Sequence, residues 1–458
     1  MRIAVIGTGN VGLVSAACFA SKCHDVVCVD LDAERVEAIN RGVAPFFEPG
    51  LEELLRANLG PKLRATLDLA AAVEPADVTM LAVGTPFDGE RIDLRQIEAA
   101  AQQVGEALRH HDGYQLVMVK STVLPGTTDE VVKPILEAAS GKRAGVDFGL
   151  AMNPEFLREG QAVNDFLHPD RVVMGGRDER CWQVQEELYR AFEATDVLRT
   201  DNRTAEMIKY TSNSLLATLI SFSNEIANLC ATLPGVDSTE VMRGLHLDKR
   251  LSPIDAETGE RQRPGILAYL MAGCGFGGSC LPKDVQSLIA FGDQRERPMP
   301  ILRSVIETNN TQPRRVVAIA RRHLEAAGRS LDGATVAVLG LAFKPGTSDI
   351  RETPALPVIE QLRSEGATLR LWDPAALGEV EKRLGAADDI VYTADLDQAI
   401  AGADVLILLT AWPELQELPA KIDGLAEPPL LVDGRRFLDG DQLERYAGIG
   451  LGPPRRQA

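Results

Sequence analysis

Apolar runs of strand length alternate with helix-forming stretches along the first third of the chain. The run Ile3–Ile6 leads into a glycine turn, residues 13–20 favour a helix, and a second run ends at Asp30. Further runs at 78–83 and 116–119 each lead into a loop containing Gly, Ser or Thr. This alternation predicts a parallel sheet with crossover helices, in which ligands bind at the carboxyl ends of the strands.

The last third of the chain repeats the same pattern. Apolar runs at 335–340, 369–374 and 405–409 predict a second α/β domain, and the 29 residues from 205 to 233 contain neither Gly nor Pro, which predicts one long helix between the halves. The expected fold is therefore α/β, with two Rossmann-like doubly wound domains joined by a long central helix. The expected segments are a first Rossmann domain at 1–200, a central helical and dimerisation region at 201–312, a second Rossmann-like domain at 313–447 and a flexible tail at 448–458.

Composition narrows the class of protein. A length of 458 residues suggests two or three domains, and no apolar run approaches the ~18 residues that span a bilayer. A net charge of -18 argues against a nucleic-acid surface. The seven cysteines form no CxxC pair, which fits a reducing, cytoplasmic setting without zinc.

The apolar surface of the long helix predicts a homodimer or larger homo-oligomer. A secretory signal is the alternative interpretation of the apolar, Ala-rich stretch that follows Met1 and Arg2, but Gly7, Gly9, Asn10 and Gly12 interrupt this stretch and argue against a signal.

A glycine motif follows the first predicted strand. It reads Gly7-Thr8-Gly9-Asn10-Val11-Gly12. In such a motif the first glycine permits a tight turn, the second lets the backbone approach a pyrophosphate, and the third allows close packing of helix on strand. Asp30 ends the second strand, where a carboxylate binds the ribose hydroxyls, so the predicted cofactor is NAD rather than NADP.

A second motif, Gly275 to Asp284, places one cysteine in a glycine-dense turn. Cys280 is followed by Lys283 and Asp284. A neighbouring ammonium favours a thiolate, and glycines leave space and backbone N–H groups for a substrate that develops negative charge. A buried structural cysteine is the alternative.

Two further polar sets have both a functional and a structural interpretation. A predicted strand precedes Ser121 and Thr122. These side chains are expected to face the nicotinamide half of the cofactor, and the alternative is that they cap the N-terminus of a helix. Lys209 and Asn213 share one face of the long helix, as a solvated edge or as a polar site.

Five segments resemble the UDP-glucose/GDP-mannose dehydrogenase family, and the resemblance runs in order from Met1 to about Arg435. The segments are 153–160, 205–213, GFGGSCLPKD at 275–284, FKPGTSDIRE at 343–352, and 433–435. The resemblance implies oxidation of the C6 alcohol of a nucleotide sugar to a carboxylate with two NAD. Cys280 would form a thiohemiacetal and then a thioester. UDP-glucose is the expected substrate, with GDP-mannose or a UDP-N-acetylhexosamine as alternatives.

The resemblance also assigns roles to individual residues. It implies catalytic roles for Cys280, Lys209, Asn213, Glu155, Thr122 and Asp284. Beside the glycine-motif residues Gly7, Gly9, Asn10, Val11 and Gly12, which are expected to contact NAD, it implies NAD contacts for Asp30, Arg35, Thr85, Thr122, Glu159, Lys283 and Arg351. It implies nucleotide-sugar contacts for Glu155, Phe156, Leu157, Arg158, Lys209, Asn213, Arg250, Tyr269, Gly275, Lys344 and Arg435. No metal is implied.

Simpler alternatives exist for several of these residues. Glu155 and Glu159 are spaced as on an exposed helix face, and Arg250, Lys344 and Arg435 could be ordinary surface cations. A catalytically idle NAD-binding protein is the alternative from another class. The chain departs from the family pattern at Asn10, where Tyr is usual, in a polar insertion at 251–264, and at 269–274.

Overall fold

The computed structural model describes residues 1–192, 196–425 and 427–454. The chain divides into two compact units, residues 1–212 and 213–458. The boundary falls inside a continuous helix, Asn202–Cys230.

The first unit is built on a six-stranded parallel sheet. Its strands are β1 (Arg2–Ile6), β2 (Asp25–Val29), β3 (Leu63–Thr66), β4 (Val78–Leu81), β5 (Leu116–Val119) and β6 (Gly149–Met152). Their order in the sheet is β3-β2-β1-β4-β5-β6. This is the Rossmann order, with the change of direction between β1 and β4. A separate parallel pair consists of β7 (Arg171–Gly175) and β8 (Asp196–Thr200).

Helices cover both faces of this sheet. They are α1 (Asn10–Ser21), α2 (Ala33–Asn40), α3 (Leu51–Asn58), α4 (Leu69–Val73), α5 (Arg95–Leu108), α6 (Lys133–Ser140), α7 (Ala162–Leu167), α8 (Glu179–Tyr189) and α9 (Asn202–Cys230), with a π-helical turn at Thr128–Val132 before α6. Ile3 and Val5 of β1 pack in one apolar cluster, and Ala4 and Ile6 pack in another. Because successive side chains point to opposite faces and both faces are covered, the strand is a continuous apolar run.

The second unit contains another six-stranded parallel sheet. Its strands are β9 (Thr335–Leu339), β10 (Thr368–Trp372), β11 (Ile390–Tyr392), β12 (Val405–Leu408), β13 (Leu430–Asp433) and β14 (Tyr446–Gly448). The order β11-β10-β9-β12-β13-β14 has the same topology as the first sheet. The predicted α/β fold with two Rossmann-like sheets and a long helix is thus confirmed.

The helices of this unit are α10 (Ser238–His246), α11 (Leu281–Gln294), α12 (Pro300–Ala326), α13 (Ala355–Ser364), α14 (Leu377–Leu384), α15 (Leu396–Ile400) and α16 (Leu418–Asp423), with 3₁₀ turns at Gly265–Tyr269, Pro413–Glu417 and Gly440–Gln442. Within the described residues, no helix combines the length and the apolar character that crossing a membrane requires.

Two predicted segment ends differ from the structure. The boundary at 312/313 falls within α12, which continues through Pro313 although this residue cannot donate a hydrogen bond to the carbonyl one turn before it. The tail expected to be flexible from 448 is instead hydrogen-bonded along its first part. Gly450 and Pro453 accept hydrogen bonds from Ser238 (3.0 Å) and Gly235 (2.8 Å). Residues 455–458 lie outside the described residues.

Candidate active site

The turn after β1 leaves its backbone open to a ligand. Gly7 has a φ of +96° and donates its N–H to the carbonyl of Val29 (2.8 Å). A Cβ at Gly12 would lie 1.9 Å from the carbonyl oxygen of Gly7, whereas a Cβ at Gly9 would meet nothing within 4 Å. Asn10 begins α1, and no side chain caps that helix. The open N-terminus of α1 is therefore suited to a phosphate group.

Asp30 follows β2 at the same edge of the sheet. Its carboxylate accepts hydrogen bonds from the backbone N–H of Thr8 (2.9 Å) and from the Thr8 hydroxyl, and Arg35 lies 3.7 Å away. Partial burial raises the pKa of Asp30, but the hydrogen bonds from Thr8 and Asp32 and the charge of Arg35 together hold it below its usual value. Asp30 is thus an anion that can accept ribose hydroxyls and repels a 2′-phosphate, so the turn and Asp30 fit NAD.

Two threonines meet at the ends of β4 and β5. The hydroxyl of Thr85 donates to the carbonyl oxygen of Thr122 (2.7 Å), and Ser121 donates to the carbonyl of Val83 (2.7 Å). These contacts join the two predicted ligand-binding loops at the carboxyl edge of the sheet, where Rossmann domains bind their cofactor.

A buried ion pair joins the loop after β6 to α9. Lys209 Nζ lies 2.8 Å from Glu155 Oε1, and the two side chains are 4% and 5% exposed. Glu155 Oε2 accepts the N–H of Leu157 (2.6 Å). Burial raises the pKa of Glu155, but Lys209, this N–H and the charge of Lys120 outweigh burial and leave it below the usual value. Glu155 is buried and lies in a loop. The alternative interpretation, in which Glu155 and Glu159 lie on an exposed helix face, is therefore wrong.

The loop that carries Glu155 is held by neighbouring charges. The Phe156 ring lies 3.8 Å from the Arg171 guanidinium and 5.6 Å from Lys209 Nζ. Arg158, a predicted nucleotide-sugar contact, forms two side-chain hydrogen bonds with Asp165 (2.6 and 3.0 Å). No motif in the sequence indicated that Arg171 contacts Phe156 in this loop.

In the second unit, the glycines before Cys280 are required by chain packing. A Cβ at Gly277 would lie 2.2 Å from the carbonyl oxygen of Glu352, and a Cβ at Gly278 would lie 2.8 Å from the Phe343 ring. The N–H of Gly278 already donates to the carbonyl of Arg351 (2.8 Å), so it is not available to a substrate. The expectation that the backbone N–H groups of these glycines are free is therefore wrong for Gly278, and the glycines also let the 343–352 loop pack against the turn.

Cys280 immediately precedes α11 and is exposed. The Ser279 hydroxyl lies 3.7 Å from its sulfur. An anionic sulfur at the N-terminus of a helix is stabilised by the helix dipole. The alternative of a buried structural cysteine is therefore wrong for Cys280, whereas Cys274 in the same turn is buried and its thiol contacts the carbonyl of Leu409 (3.4 Å).

Asp284 connects the first turn of α11 to α9. It is 1% exposed, and it accepts hydrogen bonds from Asn213 Nδ2 (2.6 Å) and from Lys283 Nζ (2.5 Å). Lys283 therefore pairs with Asp284 in this structure. The structure thus brings Asn213, Lys283 and Asp284 together beside the Cys280 turn.

Arg435 ties the cysteine turn to the second sheet. Its guanidinium donates to the carbonyl oxygens of Leu409 (2.7 Å) and Gly275 (3.0 Å), and another nitrogen lies 3.5 Å from the carbonyl of Phe343. Lys344 Nζ lies 5.5 Å from the centre of the Phe343 ring. The predicted contacts Gly275, Lys344 and Arg435 therefore share one region at the carboxyl ends of β9, β12 and β13.

Other predicted residues are held in local pairs. Arg250 forms paired hydrogen bonds with Asp248 (2.5 and 3.1 Å), and its side chain is 88% exposed. Arg351 pairs in the same way with Asp349 (2.7 and 2.9 Å).

Tyr269 ends the 3₁₀ turn that follows the insertion and is half-buried. Within the insertion, Ile254 and Arg261 form an antiparallel bridge.

The Rossmann order, the open glycine turn and the anionic Asp30 are the features of an NAD-binding domain. Three domain models of one family match the chain: the NAD binding domain at residues 1–193, the central domain at 203–311 and the UDP binding domain at 337–440. The chain belongs to the UDP-glucose/GDP-mannose dehydrogenase family. It is an NAD-dependent nucleotide-sugar 6-dehydrogenase.

Named relatives are similar over almost the whole chain. A UDP-glucose 6-dehydrogenase of Haloferax volcanii is 41% identical over 96% of this chain and 97% of its own. A GDP-mannose 6-dehydrogenase of Pseudomonas syringae is 39% identical over 89% of this chain and 90% of its own. The solved structure of a UDP-glucose dehydrogenase from Pyrobaculum islandicum has a TM-score of 0.86 and 37% identity, over 98% of this chain and 97% of that one.

Proposed function

We propose that the chain oxidises the C6 alcohol of UDP-glucose to the carboxylate of UDP-glucuronate in two successive steps, with Cys280 as the nucleophile. The observation that carries the proposal is the exposed Cys280 at the start of α11, beside the buried pair of Asp284 and Asn213. The relative from Haloferax volcanii, named a UDP-glucose 6-dehydrogenase, supports this choice of substrate.

The first oxidation removes a hydride from C6 and a proton from its hydroxyl, which leaves an aldehyde. NAD, held by the glycine turn and Asp30, would supply the hydride acceptor for each oxidation. The Cys280 thiolate then forms a bond to the aldehyde carbon, and the resulting thiohemiacetal again carries a C–H bond that can be oxidised. Loss of the second hydride gives a thioester. Water adds to its carbonyl carbon, and the carbon–sulfur bond breaks to release the carboxylate and the thiolate.

The proposed roles of the other side chains follow from their chemistry. Lys209 and Asn213 donate hydrogen bonds to the oxyanion of the tetrahedral stages. Glu155 exchanges a proton with water during hydrolysis of the thioester, and Thr122 and Asp284 position that water. The anionic state of Glu155 and the fixed amide of Asn213 support these roles.

The residues proposed to hold the two ligands have different chemical character. NAD is proposed to contact the open backbone of the glycine turn, the carboxylate of Asp30, and further polar and charged side chains. The proposed NAD contacts are Gly7, Gly9, Asn10, Val11, Gly12, Asp30, Arg35, Thr85, Thr122, Glu159, Lys283 and Arg351. The nucleotide-sugar contacts include the cations that a diphosphate requires in a protein of net charge -18. They are Glu155, Phe156, Leu157, Arg158, Lys209, Asn213, Arg250, Tyr269, Gly275, Lys344 and Arg435.

A substrate panel tests the proposed function. NADH formation is followed with UDP-glucose, GDP-mannose, a UDP-N-acetylhexosamine and free glucose. UDP-glucose should give the highest kcat/KM, its affinity should fall with salt because the diphosphate binds cations, and glucose should be inert. Faster turnover of GDP-mannose, the substrate named for the Pseudomonas syringae relative, would move the assignment within the family. NAD binding without turnover of any nucleotide sugar would favour an idle binding protein.

Asp30→Ala should weaken NAD binding and narrow the preference for NAD over NADP. The carboxylate would accept ribose hydrogen bonds worth roughly 1.5–3 kcal/mol, which corresponds to a ten- to hundredfold rise in the Kd for NAD. Calorimetric titration with both cofactors measures the change. Glu37→Ala is the control, because it removes an exposed acid of α2 that pairs with Arg41. An unchanged preference in Asp30→Ala would contradict the role of this carboxylate.

We also propose that the chain forms a homodimer or a larger homo-oligomer. Leu215, Phe222 and Leu229 are 50%, 48% and 60% exposed and recur every seven residues along α9. An apolar stripe of this length on a helix surface favours burial against another subunit. Sedimentation should show a dimer or larger species at micromolar concentration. A stable monomer would contradict the proposal.

A further inference from the structure

Lys120 at the end of β5 is a buried lysine with uncharged hydrogen-bond partners. It is 4% exposed, and its Nζ donates to Asn153 Oδ1 (2.7 Å) and to the Tyr189 hydroxyl (3.1 Å). Tyr189 in turn donates to Asn153 Oδ1 (2.6 Å). In the part of the chain that the structure describes, no carboxylate oxygen lies within ion-pairing distance of Lys120 Nζ. A buried ammonium without a paired carboxylate is rare, because desolvation opposes its charge.

Aromatic rings provide weaker compensation for this charge. Lys120 Nζ lies 5.6 Å from the centre of the Phe166 ring and 5.7 Å from that of Tyr189. A cation near such rings gains about 0.5–2 kcal/mol, which is less than the cost of burying an ammonium. Burial raises the pKa of Tyr189, so its hydroxyl stays protonated and supplies no counter-charge.

Lys120 and Glu155 line the same pocket of the first unit, and Asn153 lies two residues before Glu155 on the loop after β6. Lys120 is thus tied by a hydrogen bond to the segment that carries Glu155. The ionisable groups around Lys120 are Glu155 on that loop and Lys209 on α9. The other ionisable groups of the pocket wall are Arg158, Asp165, His168, Asp170, Arg171 and Tyr189.

These surroundings make Lys120 titrate near neutral pH. Burial lowers its pKa to about 7, Glu155 opposes this shift, and Lys209 adds to it. The charge of Lys120 is in turn one of the influences that lower the pKa of Glu155. Below pH 7, Glu155 is therefore under the influence of two ammonium groups and is a weaker base. Above pH 7, Lys120 is neutral and no longer lowers the pKa of Glu155, so Glu155 is a stronger base.

We propose that Lys120 is a positioning residue that holds the Glu155 loop and, by gaining or losing its own proton, sets the basicity of Glu155. The proposal rests on the acid/base role of Glu155 in the proposed function. Its consequence is that hydrolysis of the thioester becomes faster as pH rises through about 7, because Lys120 then becomes neutral.

Two substitutions of Lys120 test this consequence in opposite directions. Lys120→Met mimics the neutral amine at every pH, and Lys120→Arg keeps a permanent charge. Release of the carboxylate product is followed in single turnovers by quenched flow from pH 5.5 to 8.5. In the wild type, the rate of product release should rise with a midpoint near pH 7. Lys120→Met should lose this rise, and at pH 6 its rate should be up to roughly tenfold higher than that of the wild type. Lys120→Arg should remain slow over the whole pH range. Lys142→Met is the control, since Lys142 Nζ contacts the carbonyl of His111.

The proton on Lys120 can also be observed without turnover. In protein labelled with ¹³C at lysine Cε, one resonance should titrate near pH 7 and be absent from Lys120→Met. If no lysine resonance titrates between pH 5.5 and 8.5, or if Lys120→Met retains the wild-type pH dependence of hydrolysis, the proposal is wrong. Lack of turnover with every nucleotide sugar would instead overturn the proposed function, whereas the resonance would still report the titration of Lys120.

Discussion

Replacing Cys280 by alanine is expected to lower kcat for complete oxidation by at least about a thousandfold, a scale typical of deleting a covalent nucleophile. Binding of NAD and of the nucleotide sugar should remain within about twofold of wild type, because the sulfur is proposed to act by forming a bond rather than by holding the ligand. Steady-state NADH formation and calorimetric titrations with the two ligands measure the two effects.

The second exposed cysteine provides a matched control. Cys23 is exposed like Cys280 but lies in the turn between α1 and β2. Cys23→Ala should keep wild-type turnover and remain sensitive to inactivation by iodoacetamide, whereas Cys280→Ala should lose turnover. Wild-type turnover by Cys280→Ala would contradict the covalent mechanism. Iodoacetamide resistance of the Cys23→Ala enzyme would show that the reactive thiol is Cys23.

Lys209→Met is expected to lower the free energy of unfolding by about 3–5 kcal/mol. The substitution leaves the buried carboxylate of Glu155 without its ammonium partner, and an unpaired buried charge is costly. Adding Glu155→Gln should restore much of the loss, since the amide carries no charge and still accepts the N–H of Leu157. Equilibrium unfolding in urea measures the three proteins.

An exposed ion pair gives the control for this effect. Arg41→Met breaks the pair with Glu37 on the surface of α2, which is expected to cost less than about 1 kcal/mol. The effect of Lys209→Met should also depend on pH. The pKa of Glu155 is lowered in the folded protein, so its stabilising contribution is complete above the unfolded value, about 4.3, and disappears as pH falls through the folded value. A loss as small as that in Arg41→Met, or one that persists in acid, would contradict the account of this pair.

Individual strands and turns could be predicted because neighbouring residues in the sequence determine them. β1 is apolar from Ile3 to Ile6 since both faces of its sheet are covered, and Gly7 adopts a positive φ in the turn that follows. Pro313 shows the limit of this reasoning, because a buried helix can continue through a proline when tertiary packing outweighs the missing hydrogen bond. The ordered segment from Gly448 to Pro453 depends on hydrogen bonds to a loop more than 200 residues earlier.

The candidate site was predictable where its residues are close in sequence or belong to a motif. One short motif contains Cys280, Lys283 and Asp284. The hydrogen bond between Asp284 and Asn213, in contrast, joins residues 71 positions apart and becomes visible only in the folded chain. Lys120 could not be singled out from the sequence, because lysine is usually exposed and no motif indicates that this one is buried. The assigned roles of all these residues stay predictions until they are tested by substitution.

The number of NADH molecules formed for each UDP-glucose consumed distinguishes the covalent four-electron mechanism from a single oxidation. With UDP-glucose limiting and NAD in excess, absorbance at completion gives the ratio, and a hydrazine trap detects any aldehyde in solution. The covalent mechanism predicts two NADH per sugar and no trapped aldehyde, because Cys280 holds the intermediate until its second oxidation. One NADH per sugar, with the aldehyde recovered in the trap, would contradict the covalent four-electron mechanism.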